Sequence, residues 1–531
     1  MRGRSAILLL TLILATGRST LRTDNEYWRS LSHAELEDAL KVQWNVGVAK
    51  NVILFVGDGM GPNTVTATRI YKGGESHRLA YEKFPHMGML KTYSANKMVP
   101  DSACSATALF TGVKANQETM GVDASVPYLN CTASLQKESR LDSLAAVALA
   151  AGKSAGFVTT MRVTHATPGP LYAHSASRKW ECEAKMPPNS PCKDIARQLV
   201  EDWPGKDLHV ILGGGRQVLV SNVTGTPDDP VDTWSCYSKD GRNLIQDYEA
   251  EKTRRGLKYK VVSNTGELKN INIEETDYLL GIFANGHLKY EFERDQSPNG
   301  MPSISEMTEM AIKVLKKNKN GFFLMIEGGN IDMAHHRGRA KTAVDESAAM
   351  EDAVKVAMSL TDDKDTLMIV TADHTHTMSI NGYPYRGNDI FGVAPDSPYD
   401  QTKYTILSYG TGGPDSFQYY IDKNSNNQET VKRKDPRGED TTSFNYVQVA
   451  GIRLDENSHG GGDVAVYAKG PFAHLFHHVH EQHFVFEVAT FAARVGRHAG
   501  AGAAATTALW ATVPVGLLLV NYRFFYCGVD F

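Results

Sequence analysis

Two serines stand three apart, directly after an aspartate, in VPDSACSATALF, residues 99–110: Asp101, Ser102 and Ser105. A nucleophilic serine needs a base or a metal to dispose of its proton. The stretch holds no histidine, and the G-x-S-x-G elbow that exposes a serine on a sharp turn is missing. If either serine is a nucleophile, its activator comes from elsewhere in the chain. The alternative is that both are small residues opening a helix.

The acids that could supply an activator fall in a pattern. Asp58 follows the apolar run VILFVG, Glu327 follows FFLMI and Asp373 follows TLMIVTA. Parallel sheets gather function at the carboxyl ends of their strands, so these three acids should meet on one edge. A single acid there is ordinary turn chemistry; three, each beside glycine or histidine, point to a site. In EGGNIDMAHH, Asp332 and His336 are four apart and share one face if a helix starts there. TADHTH adds His374 and His376, and NSHGGGD sets His459 in a glycine-rich loop before a strand. Mixed imidazole and carboxylate ligation suits zinc, and all-oxygen ligation suits magnesium. His477, His478, His480 and His483 form a denser cluster, which we assign to a helix surface near the C-terminus rather than to a metal.

These residues must be held by repeating strand and helix units. NVILFVG (51–57), SAGFVTT (154–160), DLHVILGGG (207–215), GFFLMIEGG (321–329), TLMIVTADH (366–374) and DVAVYAKG (463–470) read as strands. Between them lie helix-like PNTVTATRIY (62–71), LDSLAAVALAAG (141–152), ISEMTEMAIKVLKKNKN (304–320) and AVDESAAMEDAVKVAMSL (343–360), with HVHEQHFVFEVATFAARVG (478–496) as a terminal helix. Continuous apolar strands alternating with helices predict an α/β fold: a three-layer α/β/α sandwich around a large, mostly parallel central sheet. From about Gly382 to Glu456 the sequence turns rich in Gly, Pro, Asn, Asp and Tyr, which predicts an inserted small subdomain.

With 531 residues, 42% apolar and 22% charged, the chain can bury a large core, and length alone suggests about two to four domains. A net charge of −4 with no basic run argues against nucleic-acid binding. The N-terminal MRGRSAILLLTLILATG reads as a secretory signal peptide, residues 1–17. At the far end, small residues around Gly500–Ala505 precede an apolar tail, the order of a lipid-anchor (GPI) signal; a short transmembrane helix is the competing reading of residues 497–531. Both ends predict the secretory pathway and the extracellular face of the plasma membrane. There, Asn130 and Asn222 in their N-x-T sequons become glycosylation sites and the six cysteines become potential disulfide partners.

Taken together, VGDGMG, VPDSACSATA, THATPGPLYAHSASR, EGGNIDMAHH, TADHTH and SHGGGDVAV resemble the alkaline phosphatases, especially secreted animal ones, from about Val48 to Val495. The resemblance implies a catalytic domain from 18–381 and 457–496 with a crown-like insert at 382–456. It implies that Ser102 is the nucleophile. Asp58, Asp373 and His374 would hold the zinc beside that serine, and Asp332, His336 and His459 a second zinc. Asp58 would also bridge to a magnesium completed by Thr167 and Glu327, with His165 near that shell. Arg178 would bind phosphate, with Asp101 positioning it or the serine turn, and His376 would support the ligands. A homodimer is implied too, with the insert and a helix near Ser32–Leu40 as contact regions.

Three departures stand out. Cys104 replaces a glycine usual in relatives. Phe283 and Asp247 fit the family's calcium pattern, but Ala284 and Asn299 replace two of its acids, which weakens any calcium site. A C-terminal cysteine pair of vertebrate relatives is missing, while Cys131 and Cys192 match another family disulfide and Cys182 and Cys236 are left to pair.

The chemistry so implied is hydrolysis of phosphate monoesters at alkaline pH through a phosphoserine. Two metals a few ångströms apart can hold the attacking and leaving oxygens of an in-line displacement. Such a site reads the phosphoryl group and little of the alcohol, so broad substrate range follows. Two rival readings remain: a phosphodiesterase or sulfatase using the same sheet and metals, and a catalytically weak anchored glycoprotein that serves as a binding partner.

Overall fold

A computed structural model describes residues 24–500. The signal-peptide segment 1–17 and the apolar tail beyond Gly500 lie outside the described residues.

The central sheet has ten strands: β1 (Asn51–Gly57), β2 (His86–Lys91), β3 (Ser154–Arg162), β4 (Val210–Gly214), β5 (Tyr259–Val262), β6 (Tyr278–Ile282), β7 (Phe322–Gly328), β8 (Thr366–Ala372), β9 (Val464–Lys469) and β10 (His478–Glu481). Their order is β10-β2-β9-β8-β1-β7-β3-β4-β6-β5, and only β9 runs against the others. β1, β3, β7 and β8 are buried along their whole length, which is why they read as unbroken apolar runs rather than alternating ones.

Helices cover both faces. We number α1 (Asn25–Leu40), α2 (Pro62–Gly73), α3 (Ser102–Thr111), α4 (Ile304–Leu315), α5 (Asn330–His336), α6 (Ala340–Leu360) and α7 (Phe484–Ala493). α4 starts at a capping box in which Ser303 and Glu306 each satisfy the other's backbone N–H. It stops at Leu315, short of the predicted 320, where the apolar spacing gives way to the polar KKNKN. α1 buries none of its residues against the rest of the chain.

The 478–496 segment differs from its predicted single helix. His478–Glu481 is an edge strand parallel to β2, and α7 begins only at Phe484. The alternating HVHE suits a strand that pairs on one side only. His478 and His480 therefore sit along a sheet edge, not a helix surface, while His483 stands at the N-cap of α7. His477 Nε2 meets His86 Nδ1 at 2.9 Å, and His480 Nε2–H donates to the His477 carbonyl at 2.6 Å.

Around 382–456 the elements are small. Met378–Ile380, Leu407–Gly412 and Ala450–Arg453 form a three-stranded sheet, and Tyr419–Lys423 pairs with Glu429–Arg433 in a hairpin. Ile390, Phe391, Ile406, Leu407 and Tyr409 make a separate apolar cluster that closes against Ala340 and Val344 of α6. Disulfides join Cys131 to Cys192 and Cys182 to Cys236. Asn130 is exposed and its side chain caps the helix Cys131–Ser134 through Ala133 N–H; Asn222 is exposed in a loop.

Candidate active site

Strand register brings the acids together. Val56 pairs with Glu327, Gly57 with Gly328 and Ala372, and Thr159 with Glu327, so Asp58, Glu327 and Asp373 leave adjacent strand ends. Gly59 then turns the chain at φ +66°, and its N–H donates to Asp373 Oδ1 at 3.0 Å. A Cβ there would lie 2.5 Å from His376 Cδ2 and 3.1 Å from Asp332 Oδ1, so only glycine fits.

Ser102 opens α3 directly after its N-cap, Asp101. Asp101 Oδ1 accepts from the N–H groups of Glu118 (2.8 Å) and Cys104 (3.4 Å), while Oδ2 accepts from Ala103 N–H (3.3 Å) and Arg178 Nη1 (3.0 Å). Burial opposes ionisation of Asp101, but Arg178 and these donors still hold its carboxyl below the usual range. It is therefore an anchor and a poor base. Ser102 itself is 1% exposed, with the partial positive charge of a helix N-terminus behind it.

Beside the serine, Asp58, Asp373 and His374 converge. Ser102 Oγ lies 3.4 Å from Asp58 Oδ1 and 3.2 Å from His374 Nε2, which is itself 3.3 Å from both Asp58 Oδ1 and Asp373 Oδ2. His374 Nδ1–H donates to the Thr375 carbonyl (3.3 Å), so a neutral ring presents its Nε2 lone pair to two carboxylate oxygens. Burial, reinforced by His459, keeps that ring far below the usual histidine range, which disfavours its protonated form.

A second group holds Asp332, His336, His376 and His459. His336 Nδ1–H donates to the Asn457 carbonyl (2.7 Å) and His459 Nδ1–H to the Pro100 carbonyl (2.9 Å). Both Nε2 lone pairs are thereby turned inward, 3.1 Å apart, and 3.3–3.4 Å from Asp332 oxygens. His376 Nε2 meets Asp332 Oδ1 at 2.5 Å.

The third group joins Asp58, Glu327 and His165. Thr167 Oγ1 reaches Asp58 Oδ2 at 3.5 Å, and Thr159 Oγ1 donates to Glu327 Oε2 at 2.5 Å. Glu327 Oε1 and His165 Nδ1 are buried with no protein partner. His165 Nε2 lies 3.4 Å from Arg178 Nη2.

Electrostatics tests whether metal ions belong here. Asp58, Glu327, Asp332 and Asp373 are all nearly or fully buried within these groups. Burial and the neighbouring carboxylates push Asp58 well above its ordinary range; burial raises Glu327 to about 7 and Asp373 to about 6. Asp332 goes the other way: burial opposes it, but His336 and His376 hold it well below. Four buried acids with inward-facing imidazole lone pairs and orphaned polar atoms are not a stable protein-only arrangement. The donor set fits cations: nitrogen and oxygen in the first two groups, mostly oxygen in the third.

The sequence reading missed several supports. Ser105, whose neighbours in sequence gave it no role beyond opening a helix, donates to Asp373 Oδ2 at 3.2 Å. Gln482, fully buried, donates to the Asp373 carbonyl at 2.6 Å. Cys104 is buried, its S–H donates to the Asp101 carbonyl (3.2 Å), and burial pushes the thiol well up, so it closes the first helical turn as an inert group. Near the doubtful calcium pattern, the Ala284 carbonyl accepts from Gly215 and Arg216 N–H, and the Arg216 guanidinium already pairs with Asp229 at 2.6 Å.

Known proteins bear on this geometry. A family model described as alkaline phosphatase matches residues 49–495. The chain belongs to the alkaline phosphatase family. It is 42% identical over 530 residues to the tissue-nonspecific alkaline phosphatase of Gallus gallus, covering 96% of this chain and 99% of that protein. It is 41% identical over 485 residues to the alkaline phosphatase of Gadus morhua, covering 89% and 98%. Among solved structures, the alkaline phosphatase of Thermus thermophilus superposes with a TM-score of 0.58 at 22% identity, covering 86% of this chain and 93% of that one. That of the Antarctic bacterium TAB5 gives 0.57 at 21%, covering 85% and 100%. These two support the fold, and the animal relatives make this chain a phosphatase with metal-capable residue groups. No helix of the described residues is long and apolar enough to cross a membrane.

Proposed function

We propose that this protein hydrolyses phosphate monoesters by transferring the phosphoryl group to Ser102 and then to water. The observation that carries this reading is Ser102 Oγ at 3.2–3.4 Å from His374 Nε2 and Asp58 Oδ1, at the start of a helix whose N-cap, Asp101, pairs with Arg178. Asp58, Asp373 and His374 would hold one zinc, Asp332, His336 and His459 another, and Asp58, Thr167 and Glu327 a magnesium. When bound, these ions would supply charge neutralisation and Lewis-acid stabilisation of the oxygens on either side of phosphorus.

The chain's own groups do the rest. Ser102 Oγ attacks phosphorus in line; its bond to phosphorus forms as the bond to the leaving alcohol oxygen breaks, and the proton lost from Oγ is matched by the one the departing oxygen gains, so a neutral alcohol leaves. Water then cleaves the phosphoserine and releases inorganic phosphate. Arg178, with Nη1 fixed by Asp101, keeps other N–H groups for equatorial phosphate oxygens, a planar fork that lysine cannot copy.

The same reading includes an extracellular, lipid-anchored glycoprotein with glycans at Asn130 and Asn222. It also includes a homodimer, with α1, none of whose residues is buried, as one proposed contact. The 382–456 segment is the second proposed contact and a crown-like insert. Calcium is left out of the cofactor set.

The test is metal analysis of purified protein alongside turnover of mono- and diesters. Two zincs and one magnesium with preferred monoester turnover are expected. Faster diester hydrolysis, or full activity in strong chelator, overturns the reading.

A further inference from the structure

Asn457 is 0% exposed and uses every polar atom it has. Its Nδ2 donates to the Thr411 carbonyl (2.6 Å), to Thr377 Oγ1 (2.7 Å) and more weakly to Thr411 Oγ1 (3.4 Å). A carbonyl can only accept, so this face of the amide is the NH2. The opposite atom is therefore Oδ1, and it accepts from His376 Nδ1–H at 2.6 Å. The backbone of the same residue grips His336 twice: its carbonyl accepts from Nδ1–H (2.7 Å), and its N–H donates to the His336 carbonyl (3.0 Å).

One residue thus sets the ring orientation of two histidines that face Asp332. His336 is left with Nε2 turned toward His459, and His376 with Nε2 turned toward Asp332 Oδ1. The anchor for this arrangement is Thr411, on the strand Leu407–Gly412 of the small sheet. A neighbour on that strand acts alongside it: Tyr409 O–H meets His335 Nδ1 at 2.7 Å, and the His335 ring stacks on His376 with centroids 4.9 Å apart.

Resting on the metal reading above, we infer that Asn457 is a positioning residue for the Asp332–His336–His459 site, and that it ties this site to the small sheet through Thr411. It touches neither substrate nor a reacting atom. Its effect is on ligand orientation, where loss of an outer-shell hydrogen bond typically weakens metal affinity about 10–100-fold.

The experiment uses the full protein loaded with zinc, and separately with cobalt as a spectroscopic probe. Chelator competition gives the two zinc dissociation constants of wild type, Asn457→Ala and Thr377→Val. Asn457→Ala keeps the backbone hold on His336 and removes only the acceptor that orients His376, so the expected result is one constant weakened roughly tenfold, the low end of that range, with the other near wild type. The visible spectrum of cobalt at the weakened site should change, and excess zinc should restore most of kcat. Thr377→Val, which removes one acceptor of the amide but no contact to a histidine, should move the same constant in the same direction by less. Zinc constants within twofold of wild type, with only a lowered melting temperature, would show that Asn457 merely packs and would overturn the inference. A wild-type protein that binds no zinc at this group overturns the metal reading itself, and does so before any substitution is made.

Discussion

His336 and His459 point their Nε2 lone pairs at each other across 3.1 Å, each held there by a backbone carbonyl behind its Nδ1. Without a metal, a proton must occupy that gap: burial resists it, but Asp332 outweighs burial and lifts His336 to about 9. Metal uptake at pH 7 should therefore release a proton from this pair. Calorimetric titration of metal-free protein in buffers of different ionisation enthalpy checks this. No buffer dependence would sink the arrangement.

Replacing Ser102 by alanine removes the proposed phosphoryl acceptor and its Oγ contacts to Asp58 and His374, while leaving every carboxylate and imidazole of the three groups in place. We expect kcat to fall by about three orders of magnitude or more, with metal content near normal. Rapid quench with labelled substrate should show phosphoserine at 102 in wild type and none in the variant. Label on Ser105 would contradict the assignment.

Ser105 is expected to matter more modestly. Ser105→Ala leaves Asp373 Oδ2 without its 3.2 Å donor while keeping Ser102 intact. Phosphoenzyme should still form, with kcat/KM reduced roughly tenfold, the cost of about one hydrogen bond to a charged group. An unchanged kcat/KM would show that the contact is idle.

Arg178→Lys keeps the charge and loses the fork that Asp101 aligns. A drop in kcat/KM of about 10–100-fold, corresponding to one or two charge-assisted hydrogen bonds, is expected. Inorganic phosphate should inhibit less strongly by a similar factor. Asp101→Ala should give a smaller loss, because the guanidinium remains but is no longer held.

Away from the site, Glu346 on α6 is buried, accepts Glu291 N–H at 2.5 Å, and is pushed by burial up to about 8. The folded state binds this proton more tightly than the unfolded chain. Its stabilising contribution is therefore intact below about pH 4.5 and lost as pH rises to about 8. Glu346→Gln should leave melting temperature similar at pH 4.5 and raise it increasingly toward pH 8, by a free energy on the order of 1–4 kcal/mol. Equal effects at both pH values would refute the assignment.

The apolar runs of β1, β7 and β8 and the acids that end them were plain in the sequence, because a buried parallel strand has only one way to be written and only one functional end. His374 and His376 followed from their place beside Asp373, and Arg178 from its motif. The four-residue spacing of Asp332 and His336 likewise read correctly as one helical face. His478–Glu481 did not, because a short alternating run is a strand only if an edge is free to receive it, and β2, which offers that edge, lies about 390 residues earlier in the chain.

What local pattern could not convey was who holds whom. Nothing in NSHGGGD says that Asn457 faces Thr411, and nothing in SACSATALF says that Ser105 faces Asp373. Those contacts arise when separate strand ends and loops pack into one buried space, where every polar atom must find a partner. The sequence by itself determined the chemistry-bearing residues, because motif and strand-end position depend on neighbours in the chain. Tertiary structure decided their tautomers, their supports and the charge imbalance that calls for metal, because burial and directional hydrogen bonds exist only once distant segments meet.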